Sequence, residues 1–223
     1  ESLDEDIRDF SLVVIASDGD LSANTVVNIS VFDVNDNTPI FDPSGVYSVN
    51  VSEATSVNST LVTVVATDAD GTSQFSTVSY SLANGSDSHF EIGSSNGELV
   101  LVQSLDFETT TSYSLVVIAS DGDLSANTVV NISVVDFNDN SPVFGAGEYT
   151  ADVHENATTG HVVVQVSATD ADSGANAALS FSIIGGDDSP SRFQIESSGN
   201  IVVTSAGLDR ETRGFYNLTV QAT

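Results

Sequence analysis

The sequence predicts an all-β protein built from tandem antiparallel β-sandwiches with Greek-key connections, about seven short strands to each repeat. Three observations carry that prediction. Apolar residues alternate with polar ones along short runs. Turn residues punctuate those runs at regular intervals. A long segment occurs twice, so the unit itself is repeated.

The alternation is clearest at 114–120, where Leu115, Val117 and Ala119 share one face. Over 128–135, Val130, Ile132 and Val134 point one way and Val129, Asn131, Ser133 and Val135 the other. Turns fall at "SDGD" (17–20 and 120–123), "ANGSD" (83–87), "SSNGE" (94–98) and "IIGGDD" (183–188). No stretch sustains helical periodicity. The segment "SLVVIASDGDLSANTVVNISV" occupies 11–31 and recurs unchanged at 114–134. A third, divergent unit carries "SATDADSGANAALSFSI" (167–183), matching "VATDADGTSQFSTVSYSL" (65–82). The expected organisation is the C-terminal part of one repeat over 1–39, a complete repeat over 40–142, and a repeat without its C-terminal end over 143–223. The first part carries an apolar face of Leu12, Val14, Ala16, Val27, Ile29 and Val31 that needs further strands for cover.

Composition narrows the function. The 223 residues hold 32 acids against four bases, a formal net charge of −28. Such a chain repels nucleic acid and anionic membrane. There is no Cys, which excludes disulfides and thiolate metal sites. Apolar runs are too short for a transmembrane helix. His89, His154 and His161 are scattered, and no nucleophile–base set or catalytic carboxylate pair is legible, so no enzyme is expected. "DADG" at 68–71 lacks the later acids and flanking helices of an EF-hand, and "GAG" at 145–147 is not a phosphate loop.

The acids are not scattered. "DVNDNTPIF" (33–41) returns as "DFNDNSPVF" (136–144), one repeat later. Clustered carboxylates repel one another, and a segment between two sandwiches has no core to offset that cost. Calcium converts the repulsion into coordination. It takes six to eight oxygens from carboxylates, amides and backbone carbonyls, and needs neither sulfur nor imidazole. The asparagines add neutral oxygens, and the proline stops the segment from continuing as a central strand. The motif reads as a hinge that stiffens when a cation fills it.

The motifs come in a fixed order within the complete repeat: "VSEAT", "ATDAD", "LDFE", "ASDG", then the Asp-Asn linker. The third unit repeats it with "VHENA", "ATDADSGAN" and "LDRET". In this the chain resembles the cadherin family along its whole length. The resemblance implies an elongated rod of repeats with about three calcium ions at each complete junction.

Carried over residue by residue, the resemblance implies two ligand sets. At the second junction they are Glu53, in the first strand, with Asp106 and Glu108. The linker adds Asp136, Asn138, Asp139 and the carbonyls of Phe137 and Asn140, and the next repeat adds Asp170, Asp172 and the carbonyl of Asn176. The first junction takes Asp33, Asn35, Asp36, the carbonyls of Val34 and Asn37, then Asp68, Asp70 and Asp121. Its base is Asp4 and Asp6, where the shorter Asp6 stands in place of the family's Glu. The middle repeat lacks a counterpart of Asn176, and a carbonyl between Ser73 and Phe75 is the expected substitute. Asp18 serves a junction upstream, and Glu155, Asp209 and Glu211 one downstream.

Sequons at Asn28, Asn50, Asn58, Asn84, Asn131, Asn156 and Asn217 are candidate N-glycan sites. The resemblance implies an extracellular location, either in the ectodomain of a single-pass membrane protein or in a secreted filament. Two functions follow. One is a calcium-dependent adhesion or recognition segment whose partners are other ectodomains of the kind. The other is a structural spacer in a surface or matrix assembly, which the duplicated 11–31 segment favours. With no Trp, the tryptophan-anchored strand exchange of the family is not expected here.

Overall fold

The computed structural model describes residues 8–42, 45–83, 88–186, 192–204 and 207–223. It divides into two units, Glu1–Val135 and Asp136–Thr223. Almost all regular structure is strand, as a chain rich in β-branched residues requires.

The first unit runs β1 (Arg8–Ser17), β2 (Ser22–Val31), β3 (Ile40–Asp42), β4 (Val46–Ser52), β5 (Thr60–Thr63), β6 (Val65–Thr67), a single helical turn α1 (Ser73–Ser76), β7 (Ser79–Leu82), β8 (Phe90–Ile92), β9 (Glu98–Leu101), β10 (Ser112–Ser120) and β11 (Ser125–Val135). A four-stranded sheet in the order β4-β11-β10-β7 stands with a three-stranded sheet β5-β9-β8 and the short pair β3-β6. Between them lies one core. Leu115, Val117, Val130 and Ile132 come from one sheet, Leu99 and Leu101 from the other. These are the inward members of the expected alternation, and Leu115 is 2% exposed. Burying each such side chain contributes about 1.5–3 kcal/mol.

One ladder departs from the antiparallel expectation: β4 pairs with β11 in parallel, Val130 opposite Tyr47. They are the first and last strands of the sheet and run in the same direction, which leaves a parallel pairing. The Thr128 hydroxyl seals this edge by donating to the Gly45 carbonyl. The hairpin β1–β2 forms a separate two-stranded sheet. Its expected apolar face is open, with Leu12 50% and Val27 41% exposed.

The second unit contains β12 (Val143–Phe144), β13 (Val162–Gln165), β14 (Ala168–Thr169), β15 (Phe181–Gly186), β16 (Phe193–Ile195), β17 (Asn200–Val203) and β18 (Leu218–Ala222). Its core gathers Val166, Phe193, Ile201, Val203 and Leu208, with Tyr216 edge-on to Phe193 at 5.1 Å. The two units share a turn that only glycine fits. Gly97 and Gly199 have φ of +67° and +82°, and a Cβ on either would sit 2.2 Å from a backbone oxygen, of Val64 and of Val166.

Candidate metal centre

In the first unit, three chain segments meet at one end of the core. The linker after β2 brings Asp33, Asn35, Asp36 and Asn37. The loop after β6 brings Asp68 and Asp70, and the turn between β10 and β11 brings Asp121. Carboxylate oxygens of Asp68, Asp70 and Asp121 lie within 4.8 Å of one another.

Hydrogen bonds, two local and two from another segment, aim these acids. Asp68 accepts from the Asp70 amide with one oxygen (2.9 Å). Asp70 accepts from the backbone and side-chain amides of Asn37 (3.2 and 2.6 Å). Asp33 accepts from the Thr72 amide and hydroxyl (2.9 and 2.7 Å). Asp121 accepts from the amides of Asp123 and Leu124 (both 2.8 Å). In every case one oxygen is used and the other is not. Asp33 Oδ1, Asn35 Oδ1, Asp68 Oδ2, Asp70 Oδ2 and Asp121 Oδ2 are all buried without a hydrogen-bond partner.

A buried unpaired polar atom costs about 1–3 kcal/mol, and more when charged. Five such atoms, all oxygens and four of them carboxylate, make a set suited to a hard cation. The electrostatics agree. Burial pushes the Asp68 carboxyl above its ordinary value, the charges of Asp70 and Asp121 add to this, and the Asp70 amide opposes it. The Thr72 hydroxyl holds Asp33 below the usual range. For Asp121 burial raises the value, but bonds from Leu124, Asp123 and Asn35 outweigh it and the net direction is down. The donor set fits calcium.

The second unit builds the same arrangement from the second linker. Asp170 accepts from the Asp172 amide (3.0 Å). Asp172 accepts from the backbone and side-chain amides of Asn140 (3.2 and 2.8 Å). Asp136 accepts from the Ser173 amide and hydroxyl (2.9 and 3.2 Å). Asp136 Oδ1 and Asp172 Oδ2 are left buried and unpartnered. A carboxylate oxygen of Asp139 lies within 4.8 Å of one on Asp172. The side chains of Val34 and Phe137, expected to contribute only carbonyls, face outward, 60% and 50% exposed.

The base residues fall into two further groups. Glu53 is buried and accepts from the Phe107 amide at 2.5 Å, and a Glu53 oxygen lies within 4.8 Å of one on Glu108. Asp106 accepts from the Thr109 amide and hydroxyl (3.0 and 2.9 Å). In the second unit Glu155, Asp209 and Glu211 cluster within 4.8 Å, and Glu155 accepts from the Arg210 amide at 3.0 Å. Asp18 repeats the turn of Asp121, accepting from Asp20 and Leu21 (3.1 and 2.8 Å), but on an exposed hairpin end. Asp4, Asp6 and the sequon Asn84 lie outside the described residues.

Three details differ from the sequence reading. Glu53 sits one residue past the end of β4 rather than within a strand. Residues 149–154, before Glu155, form no strand, because no ladder partner like β11 exists for them among the described residues. Asn176 is expected to act by its carbonyl, yet its side-chain amide also donates to Asp136 at 3.0 Å. In the first unit the Thr72 hydroxyl binds the matching Asp33 oxygen. Nothing in the sequence marks Thr72 or Ser173, although each fixes a linker aspartate.

The cadherin domain family model matches residues 47–135 and 149–223. Human protocadherin Fat 1 is 38% identical over an alignment of 230 positions that covers 99% of this chain and 5% of that protein. Mouse protocadherin Fat 4 is 37% identical over 95% of the chain and 4% of its own length. The chain thus spans a small fraction of these relatives. Among solved structures, the mouse clustered protocadherin PcdhgC3 EC1-3 superposes with a TM-score of 0.83 at 29% identity, covering 98% of this chain and 72% of that one. Mouse cadherin-23 EC22-24 gives 0.79 at 32%, covering 96% and 68%. With most of two repeats matched by the family model and the linker acids laid out as described, this chain belongs to the cadherin family.

Proposed function

We propose that the chain is a calcium-binding segment of an extracellular adhesion or recognition ectodomain, in which calcium stiffens the junctions between repeats. The observation that carries this is the set of five buried, unpartnered side-chain oxygens around Asp68, Asp70 and Asp121. Asp33, Asn35, Asp36, Asp68, Asp70 and Asp121 are the ligands of the first set, with the carbonyls of Val34 and Asn37. Asp136, Asn138, Asp139, Asp170 and Asp172, with the carbonyls of Phe137, Asn140 and Asn176, repeat it. Glu53, Asp106 and Glu108 form a base set, and Glu155, Asp209 and Glu211 another. About three ions per complete junction is the expected number.

The expected partners are other cadherin ectodomains. A protocadherin gammaB7 EC3-6 structure, 30% identical, is described as a cis-dimer, which supports this class of partner. No helix among the described residues is long and apolar enough to cross a membrane. The described sequon asparagines, Asn28, Asn50, Asn58, Asn131, Asn156 and Asn217, are all exposed, as glycan attachment requires. The unchanged repeat of 11–31 favours a second reading, a spacer that lengthens an array without adhesive contacts in this segment.

Calcium titration of the intact chain by calorimetry, followed by small-angle scattering with and without a chelator, tests the proposal. Binding at roughly 10⁻⁴–10⁻³ M or tighter, with a more flexible chain after chelation, is expected. No binding, or identical scattering profiles, rejects it.

A further inference from the structure

The two linkers hold their first aspartate in the same way up to a point. Asp33 Oδ2 accepts from the amide and hydroxyl of Thr72, and Asp136 Oδ2 from the amide and hydroxyl of Ser173. Thr72 and Ser173 each open a turn. The Phe75 amide donates to the Thr72 carbonyl at 3.0 Å, and the Asn176 amide to the Ser173 carbonyl at 3.1 Å. Phe75 and Asn176 are therefore counterparts, although Gly71 makes the first loop one residue longer. Their side chains are not equivalent. The Asn176 side-chain amide donates to Asp136 Oδ2 at 3.0 Å, a third bond on one oxygen. The ring of Phe75 has no such donor.

Chemistry fixes the direction of that bond. An ionised carboxylate only accepts, so Asn176 must turn its nitrogen toward it. Three donors saturate Oδ2, while Oδ1 of Asp136 is buried without a partner. The acid is thus aimed, with one oxygen held and the other open. The neutrality of the donor matters. An ammonium or guanidinium would hold Asp136 as firmly but would set a positive charge where a cation is to sit. An amide holds the acid and leaves its charge in place. The other end of the same residue also faces the linker, since the Asn138 side-chain amide reaches the Asn176 carbonyl at 3.4 Å.

We propose that Asn176 is a positioning residue: its side-chain amide holds Asp136 in the orientation calcium needs, a role separate from that of its carbonyl, and sets the second linker before the ion arrives. This rests on the calcium reading above. Hydrogen-bond partners of metal-binding side chains typically change metal affinity by about 10–100-fold when removed. At the first linker Phe75 stands in this place, and the two bonds from Thr72 carry the task.

Nuclear magnetic resonance of the intact chain tests this in two ways. In the calcium-free protein, one side-chain N–H of Asn176 should lie downfield and exchange slowly with water, and Asp136→Ala should abolish both signs. In calcium titrations, the backbone amides of 136–140 and of 33–37 report the two linkers separately. Asn176→Ala keeps the carbonyl and removes the donor. It should weaken binding read at 136–140 by about tenfold and leave binding read at 33–37 unchanged. Unchanged affinity at 136–140 overturns the proposal. So does an Asn176 side-chain amide that exchanges as fast as that of the exposed Asn127, a reading made on the unaltered chain whether or not the variant folds. No calcium response at either linker of the unaltered chain removes the calcium reading and this proposal with it, whereas a response there with no loss in Asn176→Ala removes this proposal alone.

Discussion

The hairpins β1–β2 and β10–β11 share 21 consecutive residues and a register, yet one is core and the other surface. Leu115 is 2% exposed and Leu12 50%; Val130 is 0% and Val27 41%. Local sequence decides the strands, the turn and the pairing. It does not decide burial, which comes from β4, β7 and the opposite sheet. The acid in the shared turn shows the same split. Asp121 and Asp18 make matching backbone bonds, but among the described residues only Asp121 meets two further carboxylates, and only its second oxygen is buried without a partner.

Paired substitutions in the intact chain test this contrast. Leu115→Ala should cost about 2–5 kcal/mol in chemical unfolding, as large-to-small changes in cores do. Leu12→Ala should stay within about 0.5 kcal/mol, as surface changes do. Equal losses would mean that the first hairpin is covered in solution.

Asp121→Asn should weaken calcium binding by about tenfold or more, since losing one charged ligand from a site of millimolar to sub-millimolar affinity removes at least about 1.4 kcal/mol. In the calcium-free protein the same change should cost a little stability, because the bonds from Leu124, Asp123 and Asn35 outweigh burial and favour the ionised carboxyl. Asp18→Asn should leave calcium binding unchanged. Calorimetry compares the two, and unchanged calcium affinity in Asp121→Asn would contradict the cation-site reading.

Thr72→Val removes the hydroxyl bond to Asp33 and keeps the backbone one. It should lower calcium-loaded stability by about 0.5–1.5 kcal/mol. Thr25→Val, on the open hairpin, should leave it unchanged.

The smallest effect concerns pH. Asp68 has its folded value raised above the ordinary 3.8. The calcium-free fold therefore binds its proton more tightly than the unfolded chain does. The resulting stability is fully present below pH 3.8 and is lost as pH rises through the raised value. Asp68→Asn should flatten that slope in calcium-free melts between pH 3.5 and 6, a range chosen to bracket roughly the carboxylate region. An unchanged slope would remove Asp68 from the strained set.

Much of this was legible in the sequence. Strict alternation put Leu115, Val117, Ala119, Val130 and Ile132 in the core. The linker acids were legible because they recur at one spacing. Thr72 and Ser173 were not, because a hydroxyl that fixes a carboxylate looks like any other in a chain full of Ser and Thr. The parallel pairing of β4 with β11 joins the two ends of a repeat, and no local pattern encodes it. The apolar face of β1–β2 was legible as one that needs further strands for cover, because its pattern is that of a buried hairpin.

The tethering of each carboxylate by one oxygen bears on ion size. Asp33 and Asp70 are anchored to donors on other segments, Thr72 and Asn37, and Asp68 and Asp121 to amides of their own turns, which restrains how far their outer oxygens can close around a smaller guest. Magnesium demands six oxygens at about 2.0–2.1 Å in near-octahedral array and gives up water reluctantly, whereas calcium accepts about 2.3–2.6 Å and irregular geometry. Ligands tied in this way should favour calcium over magnesium by radius with no specialised side chain, an expectation that competition of the two ions in calorimetry checks.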